Sequence, residues 1–104
     1  MKPFFVYILR CADISYYVGS TDELERRIAE HQHGDGCDWT QSRRPVELMW
    51  SQEFVTRDEA HSAEQQIKRW SRAKKEALID GDLDRLSLLS GRSKLSRAVR
   101  DASK

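Results

Sequence analysis

Two short apolar segments close to the N-terminus constrain the fold of this chain more than any other feature. Residues 4–10 (FFVYILR) and residues 16–20 (YYVGS) are both rich in aromatic and β-branched side chains, which is typical of β-strands. Residues 11–15 between them have the length of a hairpin loop. We therefore expect the two strands to pair antiparallel.

Alternation along these two strands brings two tyrosines together. Successive side chains of a strand point to opposite faces, so Tyr7 shares a face with Phe5 and Leu9. Tyr17 shares a face with Gly19 in the same way. The pattern predicts two phenols side by side on adjacent strands, next to a residue that has no side chain.

A helix follows the second strand directly. The hydroxyl residues at positions 20–21 are suited to cap it, and Glu23 can reach back from the first turn. We expect the helix to cover about residues 22–33 and to end at Gly34 or Gly36, because glycine adopts left-handed backbone readily. One face of this helix carries, at intervals of three and four residues, Leu24, Arg27, Ile28 and His31.

The rest of the chain predicts one more strand and three helices. Residues 34–44 have the composition of a loop, and Pro45 opens a strand over residues 46–54. A capping box at residues 56–59 begins the next helix, whose predicted apolar stripe contains Ala60, Ala63, Ile67 and Trp70. A helix over residues 71–79, a short one from Asp82 to Leu89, and a frayed or disordered segment from Ser90 complete the chain.

This order of elements predicts an α+β fold in which helices flank a three-stranded antiparallel sheet. A chain of 104 residues is long enough for one modest core. No apolar run approaches the length of a membrane span, and the N-terminus lacks a signal-peptide pattern. Two cysteines are too few for a disulfide framework, so we expect a cytoplasmic protein.

The net charge of +1 conceals local clusters of positive charge. Residues 67–75 contain five basic side chains and no acidic one, and residues 86–104 contain five basic side chains against one aspartate. These clusters indicate a polyanionic partner, whereas the total charge alone does not.

Two charged side chains on apolar helix faces each allow two interpretations. Arg27 either extends to the rim and pairs with Glu23 or Glu30 one turn away, or has a function at the buried face. Glu64 lies on the inner edge of its helical stripe, where an unpaired carboxylate is costly. Its spacing is compatible with a salt bridge to Lys68 or a neighbouring arginine, and equally with a metal site.

A small zinc site is a further alternative. His-x-His followed by a cysteine can be drawn as a ligand set, although the Cys-x₂-Cys pairs of ordinary structural zinc sites are missing. The residues of this alternative site are His31, His33, Cys37 and Cys11.

With these residues in place, the chain resembles the GIY-YIG nuclease superfamily over approximately residues 3–80. The strand motifs Val6-Tyr7-Ile8 and Tyr17-Val18-Gly19-Ser20-Thr21 carry the resemblance, together with the helix at residues 24–31. Residues 44–48, 56–60 and 63–68 complete it. The chain resembles in particular the small stand-alone bacterial members, a group similar to the N-terminal part of excinuclease C.

The resemblance implies a nuclease-like domain over residues 1–82 and a function for specific side chains. Members cleave phosphodiester bonds in DNA with a divalent metal. By position, Tyr7 is the phenol near the attacking water, Tyr17 is its companion, Arg27 contacts the scissile phosphate and His31 assists. Glu64 would hold one Mg²⁺ or Mn²⁺ ion, a role that suits an oxygen ligand.

Larger relatives attach a separate DNA-binding domain, and we expect none here. Affinity for DNA should then come from the cluster of residues 68–75, from Arg43 and Arg44, and from the basic tail within the short helix and tail of residues 83–104. We expect recognition of structured or single-stranded DNA at most, since phosphate contacts do not read sequence. A glycine opposite Tyr7 would let the phosphate approach. The residues that we predict to bind substrate are Gly19, Ser20, Arg43, Arg44, Lys68, Arg69, Arg72, Lys74 and Lys75.

The sequence thus predicts a metal-dependent endonuclease of DNA repair or nucleic-acid housekeeping, with no membrane association, as a monomer or weak dimer that leaves room for a protein partner. Val6 and Val18 depart from the family motif conservatively. Many members also carry an asparagine after the metal-binding glutamate, and this chain contains no asparagine. The alternative is therefore a catalytically weak or inactive module that binds nucleic acid or a partner protein.

Overall fold

The computed structural model describes residues 2–90 of the chain. It has the predicted α+β fold, with a three-stranded antiparallel sheet and helices. The segment after residue 90, predicted to be flexible and basic, lies outside the described residues. The elements in chain order are β1 (Phe4–Arg10), β2 (Tyr16–Thr21), α1 (Leu24–His33), α2 (Asp38–Gln41), β3 (Glu47–Phe54), α3 (Arg57–Lys68), α4 (Arg72–Ile79) and α5 (Leu83–Ser90).

The first strand is the centre of the sheet, whose strand order is β2-β1-β3. β1 and β2 form the predicted hairpin, in which Tyr7 lies opposite Gly19 and Leu9 opposite Tyr17. On its other side β1 pairs antiparallel with β3, with a register shift between Ile8 and Leu9. Because β1 is central, its side chains are buried on both faces of the sheet from Val6 to Leu9.

Each face of the sheet has its own apolar layer. On one face Tyr7 and Leu9 form a buried cluster with Cys11 and Val46, and the partly buried Leu24 and Ile28 of α1 pack against this cluster. Helix α3 packs against β1 and β2 and buries the aliphatic residues Ala60, Ala63 and Ile67. The sheet is therefore a layer between α1 and α3, and it positions the side chains of both.

Helix α1 begins two residues later than predicted. Glu23 is its N-cap, and the Glu23 carboxylate makes no capping hydrogen bond but accepts from Lys2 at 2.7 Å and from Arg26 at 3.1 Å. Thr21 Oγ1 accepts from the Glu23 amide at 3.1 Å in a turn that precedes the helix. The end of α1 is as predicted, since Gly34 adopts left-handed backbone with φ of 89°.

Two other details of the predicted helices need correction. The segment 34–44, predicted to be a loop, contains the short helix α2. Helix α3 begins with the expected cap, in which the Glu59 amide donates to Thr56 Oγ1 at 3.2 Å, but it ends at Lys68. Trp70 is therefore not part of its stripe, because Ser71 caps a new helix by accepting from the Lys74 amide at 3.2 Å.

The described residues form two compact units with a boundary between Lys68 and Arg69. In the second unit α4 and α5 pack against each other, and Asp82 caps α5 as predicted by accepting from the Arg85 amide at 3.1 Å. None of the helices within residues 2–90 has the length and apolar character needed to cross a bilayer. The nuclease-like domain proposed for residues 1–82 stays a prediction.

Candidate active site

Tyr7 is almost completely buried, and its position depends on the glycine opposite. A Cβ atom at position 19 would lie 2.6 Å from Tyr7 Cζ, a separation that requires the ring to move. The missing side chain of Gly19 thus makes room for the phenol itself. Contact between Gly19 and a substrate phosphate stays a prediction.

The two phenols predicted from strand alternation lie side by side, and His31 of α1 joins them. The ring centroids of Tyr7 and Tyr17 are 6.4 Å apart, and the His31 ring is 5.9 Å from the first and 5.0 Å from the second. Tyr7 Oη lies 3.0 Å from His31 Nε2, within hydrogen-bond distance. Trp39 stacks on Tyr17 with a centroid distance of 5.8 Å and extends the cluster outward.

The segment between α1 and β3 supports the buried His31. Its Nδ1 atom lies 2.8 Å from Thr40 Oγ1, and the Thr40 side chain is itself fully buried. A Cβ atom at Gly36 would lie 2.7 Å from His31 Cγ, so only glycine fits beside the imidazole. Neither Thr40 nor Gly36 was predicted as part of the site.

The zinc alternative does not agree with this geometry. Both ring nitrogens of His31 already face hydroxyl groups, those of Tyr7 and Thr40. Within the part of the chain that the structure describes, no three histidine, cysteine, aspartate or glutamate side chains come together as metal ligands.

Arg27 forms one of the ion pairs that its sequence position allows, and its contact with a substrate phosphate stays a prediction. Its Nη1 forms an ion pair with Glu30 at 3.3 Å, and its Nη2 donates to the Gly36 carbonyl at 2.9 Å. The side chain is 30% exposed, so the guanidinium is open to solvent on one side. Burial raises the pKa of Tyr7, and the nearby Arg27 guanidinium opposes this rise.

Glu64 of α3 is buried and points toward the sheet. The Ser20 hydroxyl donates to its Oε1, and Lys68 Nζ lies 2.7 Å from its Oε2. The salt bridge weighed from the sequence is therefore present. A cavity of about 350 Å³ between β2 and α3 is lined in part by Ser20, Arg57 and His61.

These oxygen groups fit a hard divalent cation. Burial acts to raise the pKa of Glu64, but the hydrogen bonds from Lys68 and Ser20 outweigh burial and lower it. The carboxylate is therefore ionised at neutral pH and has a hydroxyl oxygen beside it. Mg²⁺ and Mn²⁺ accept such ligands and complete their shell with water and substrate phosphate.

The pKa shifts of the three rings favour their neutral forms. Burial raises the pKa of Tyr7, with the Arg27 guanidinium opposing it, and burial also raises the pKa of Tyr17. Burial and then the charge of Arg27 lower the pKa of His31. At neutral pH the two phenols keep their protons, and His31 can accept one.

Arg43 and Arg44 are held by local contacts. Arg43 stacks over the Trp39 ring at 4.2 Å, donates to the Trp39 carbonyl at 2.7 Å and pairs with Asp13 at 3.1 Å. Arg44 donates to the carbonyls of Gln41 and Gln32 at 2.9 and 3.3 Å. Arg43 thus adjoins the ring cluster through Trp39, whereas Arg44 joins α1 to the segment after α2.

The remaining basic residues predicted to bind substrate belong to the second unit. Arg72 pairs with Glu76 at 3.6 Å, and Lys74 lies over the Trp70 ring at 4.2 Å. Burial lowers the pKa of Lys74 and of Lys75. The DNA contacts of these residues and of Arg69 stay predictions.

Comparison with known proteins identifies a family and close relatives. Residues 3–77 match the GIY-YIG catalytic domain family. A UPF0213 protein of Streptococcus pneumoniae serotype 4 is 43% identical over 86 residues, which cover 83% of this chain and 86% of that protein. UPF0213 protein NP_0776A of Natronomonas pharaonis is 47% identical over 75 residues, which cover 72% of this chain and 88% of that protein.

Two solved structures have a fold similar to that of this chain. The solution NMR structure of protein EF2693 from E. faecalis superposes with a TM-score of 0.55 at 37% identity, covering 78% of this chain and 86% of that one. The solution NMR structure of the UPF0213 protein BH0048 from Bacillus halodurans gives a TM-score of 0.51 at 37% identity, covering 85% and 97% of the two chains.

Proposed function

We propose, from the premise that the chain belongs to the GIY-YIG catalytic-domain family, that it is a divalent-metal-dependent endonuclease of DNA. In this proposal it hydrolyses phosphodiester bonds without strong sequence specificity, in repair or nucleic-acid housekeeping. We propose that it acts in the cytoplasm as a monomer or weak dimer and that it can bind a protein partner. The observation that carries the proposal is the buried contact of 3.0 Å between Tyr7 Oη and a neutral His31.

This contact supports a proton-accepting unit. The raised pKa of Tyr7 disfavours a free phenolate at neutral pH, so the phenol needs a partner that takes its proton as it accepts one from water. His31 is such a partner, because its lowered pKa leaves a ring nitrogen without a proton. Tyr17 packs against both rings and restricts their movement.

Arg27 supplies positive charge where negative charge develops on the phosphate. A guanidinium has five N–H donors, and the acceptors Glu30 and Gly36 use two of them. Because it cannot lose its proton, it can contact phosphate oxygens at any relevant pH. The Gly36 carbonyl fixes its orientation before the substrate binds.

Glu64 and Ser20 would hold the cation. When bound, Mg²⁺ or Mn²⁺ would stabilise negative charge on the phosphate oxygens. Lys68 must then leave the carboxylate oxygen that it contacts at 2.7 Å. Once released from Glu64, the Lys68 ammonium can contact a neighbouring phosphate of the DNA. The other residues predicted to bind phosphates are Arg43, Arg44, Arg69, Arg72, Lys74 and Lys75.

A plasmid-nicking assay with Mg²⁺ or Mn²⁺ tests this function. We expect the wild-type protein to nick supercoiled DNA and Glu64→Gln to be about 100-fold slower or worse. Tyr7→Phe should be slower by a similar factor, since it loses the proton transfer. Glu59→Gln removes an exposed carboxylate from the first turn of the same helix and is the matched control, with unchanged activity expected.

Two outcomes contradict the proposal. Equal nicking by the wild type and Glu64→Gln would assign the activity to a contaminant. No nicking by any variant, with DNA binding retained, would favour the binding module. That second function is supported by the existing Glu64–Lys68 pair and by the lack of asparagine in the chain.

A further inference from the structure

A continuous series of buried polar groups leads away from Tyr7 into the segment after α1. Tyr7 Oη lies 3.0 Å from His31 Nε2, His31 Nδ1 lies 2.8 Å from Thr40 Oγ1, and the Thr40 hydroxyl donates to the Cys37 carbonyl at 3.3 Å. The side chains of Tyr7, His31 and Thr40 are 1%, 0% and 0% exposed. Bulk water therefore cannot substitute for any of these partners.

The carbonyl at the end of the series favours one direction. A carbonyl oxygen only accepts hydrogen bonds, and the Thr40 hydroxyl lies in position to donate its one proton to the carbonyl of Cys37, which also accepts from the Gln41 amide at 3.0 Å. With the proton used there, Thr40 Oγ1 is an acceptor for His31, and Nδ1 carries the imidazole proton. A neutral imidazole has one N–H, so Nε2 presents a lone pair to the Tyr7 hydroxyl.

The Cys37 thiol is compatible with this direction. Its Sγ lies 3.4 Å from Thr40 Oγ1 and can donate weakly to the second lone pair of that oxygen. The backbone also favours the arrangement, since threonine in a helix commonly bonds the carbonyl three or four residues earlier. Helix α2 begins directly after Cys37 and contains Thr40.

We infer that Thr40 is a positioning residue that holds His31 in the Nδ1–H tautomer, so that Nε2 receives the proton of Tyr7. Its consequence for cleavage rests on the proposed function, whereas the tautomer itself does not. In the opposite arrangement Thr40 donates to Nδ1 and Nε2–H donates to Tyr7. His31 would then offer the phenol no acceptor for its proton.

Long-range ¹H–¹⁵N correlation spectra of the histidine rings test the inference without any activity. We expect the wild-type His31 resonances, assigned by their loss in His31→Asn, to show a protonated Nδ1 and an unprotonated Nε2. Thr40→Ser keeps the hydroxyl and should keep this signature. Thr40→Val keeps the shape without the hydroxyl and should lose it.

Cleavage by the same variants then tests the consequence. Thr40→Val should nick DNA about 100-fold more slowly, because Nε2 no longer accepts the proton, while Thr40→Ser stays within about threefold of the wild type. A wild-type spectrum with protonated Nε2 would overturn the inference, and so would an unchanged tautomer in Thr40→Val. If Thr40→Val fails to fold, the wild-type and Thr40→Ser spectra still show whether Nδ1 or Nε2 of His31 carries the proton. A protonated Nδ1 in a protein that does not nick DNA would refute the nuclease proposal and leave the tautomer assignment standing.

Discussion

Tyr7 and Glu64 are both buried, but they are held by different kinds of interaction. Tyr7 is held mainly by ring partners on the α1 side of the sheet, with a hydrogen-bond contact to His31 and a ring contact to Tyr17, and the Arg27 guanidinium lies nearby. Glu64, on α3, has a hydroxyl partner in Ser20 and a cationic partner in Lys68, whose side chain is 45% exposed. The phenol half of the candidate site is thus fixed by packing, whereas the carboxylate half contains one exchangeable ion pair.

This difference indicates which half is ready before a ligand binds. Buried rings in contact can move only if their neighbours move, so the geometry of Tyr7, Tyr17 and His31 is preorganised. The Glu64–Lys68 pair includes a half-exposed lysine whose ammonium is open to water, so a cation or a phosphate can displace it. The phenol half and the carboxylate half of the candidate site should therefore respond differently to substitution.

The largest effect should come from disturbing the packed half through Gly19. In Gly19→Ala the new Cβ would lie 2.6 Å from Tyr7 Cζ, so the ring must shift. We expect the free energy of unfolding in urea to fall by about 1–3 kcal/mol. DNA nicking should fall by about 100-fold, because the phenol loses its alignment with His31.

A double-mutant cycle with Tyr7→Leu provides the control for this effect. If the cost of Gly19→Ala arises from the Tyr7 ring, the same substitution should cost much less in the Tyr7→Leu background. An equal cost in both backgrounds would show that β2 itself cannot accept alanine. The packed half would then not depend on Gly19 in the way described.

A smaller effect should come from releasing the exchangeable half. In Lys68→Met the carboxylate of Glu64 keeps Ser20 and loses its cationic competitor. We expect calorimetric titration to show Mn²⁺ binding about fivefold tighter, which corresponds to about 1 kcal/mol for removal of a half-exposed competing cation. Glu64→Gln in the same titration is the control and should show no binding at that site.

The same variant also tests the predicted phosphate contact of Lys68. If Lys68 contacts DNA, Lys68→Met should weaken DNA binding and reduce the salt dependence of binding by about one counterion. Unchanged Mn²⁺ affinity together with unchanged DNA binding would contradict both roles. Lys68 would then only anchor the last turn of α3.

The parts of the fold that follow from local patterns were predictable from the sequence. Strand alternation predicted the β1–β2 hairpin and the adjacent phenols, and Gly34 predicted the end of α1. Trp70 was placed wrongly because its spacing continues the apolar stripe of α3, although Ser71 begins a new helix three residues after the last residue of α3. Apolar spacing does not record where one helix stops and the next begins.

The polar contacts of the site were less predictable, because they join residues from separate segments. Ser20 and Glu64 are 44 positions apart, and no periodicity connects them. Thr40 lies in a four-residue helix, which is too short to show an apolar stripe. The sequence pattern indicates Gly36 only as a possible helix end, whereas in the structure its missing side chain makes room for His31. The basic residues predicted to bind DNA followed from charge alone, and their roles stay predictions.

The smallest expected effect concerns the charge state of His31 in the packed half. Burial and then Arg27 lower its pKa in the folded protein, whereas the unfolded chain has the ordinary value of about 6.5. Between these two values the unfolded chain binds a proton that the folded protein excludes. The contribution of neutral His31 to stability is therefore complete above about pH 6.5 and is lost as the pH falls toward the folded pKa.

Urea unfolding of the wild type and His31→Gln from about pH 7.5 to about pH 5.5 measures this contribution. Of the groups around His31, the two phenols have raised pKa values and stay protonated over this range. We expect the wild type to lose more stability on acidification than the glutamine variant, with the two curves parallel above about pH 7. Parallel curves over the whole range would mean that His31 takes up its proton at the same pH in the folded and the unfolded protein, so its pKa would not be lowered by its surroundings. That result would remove the reason for describing the packed half as neutral and the other half as charged.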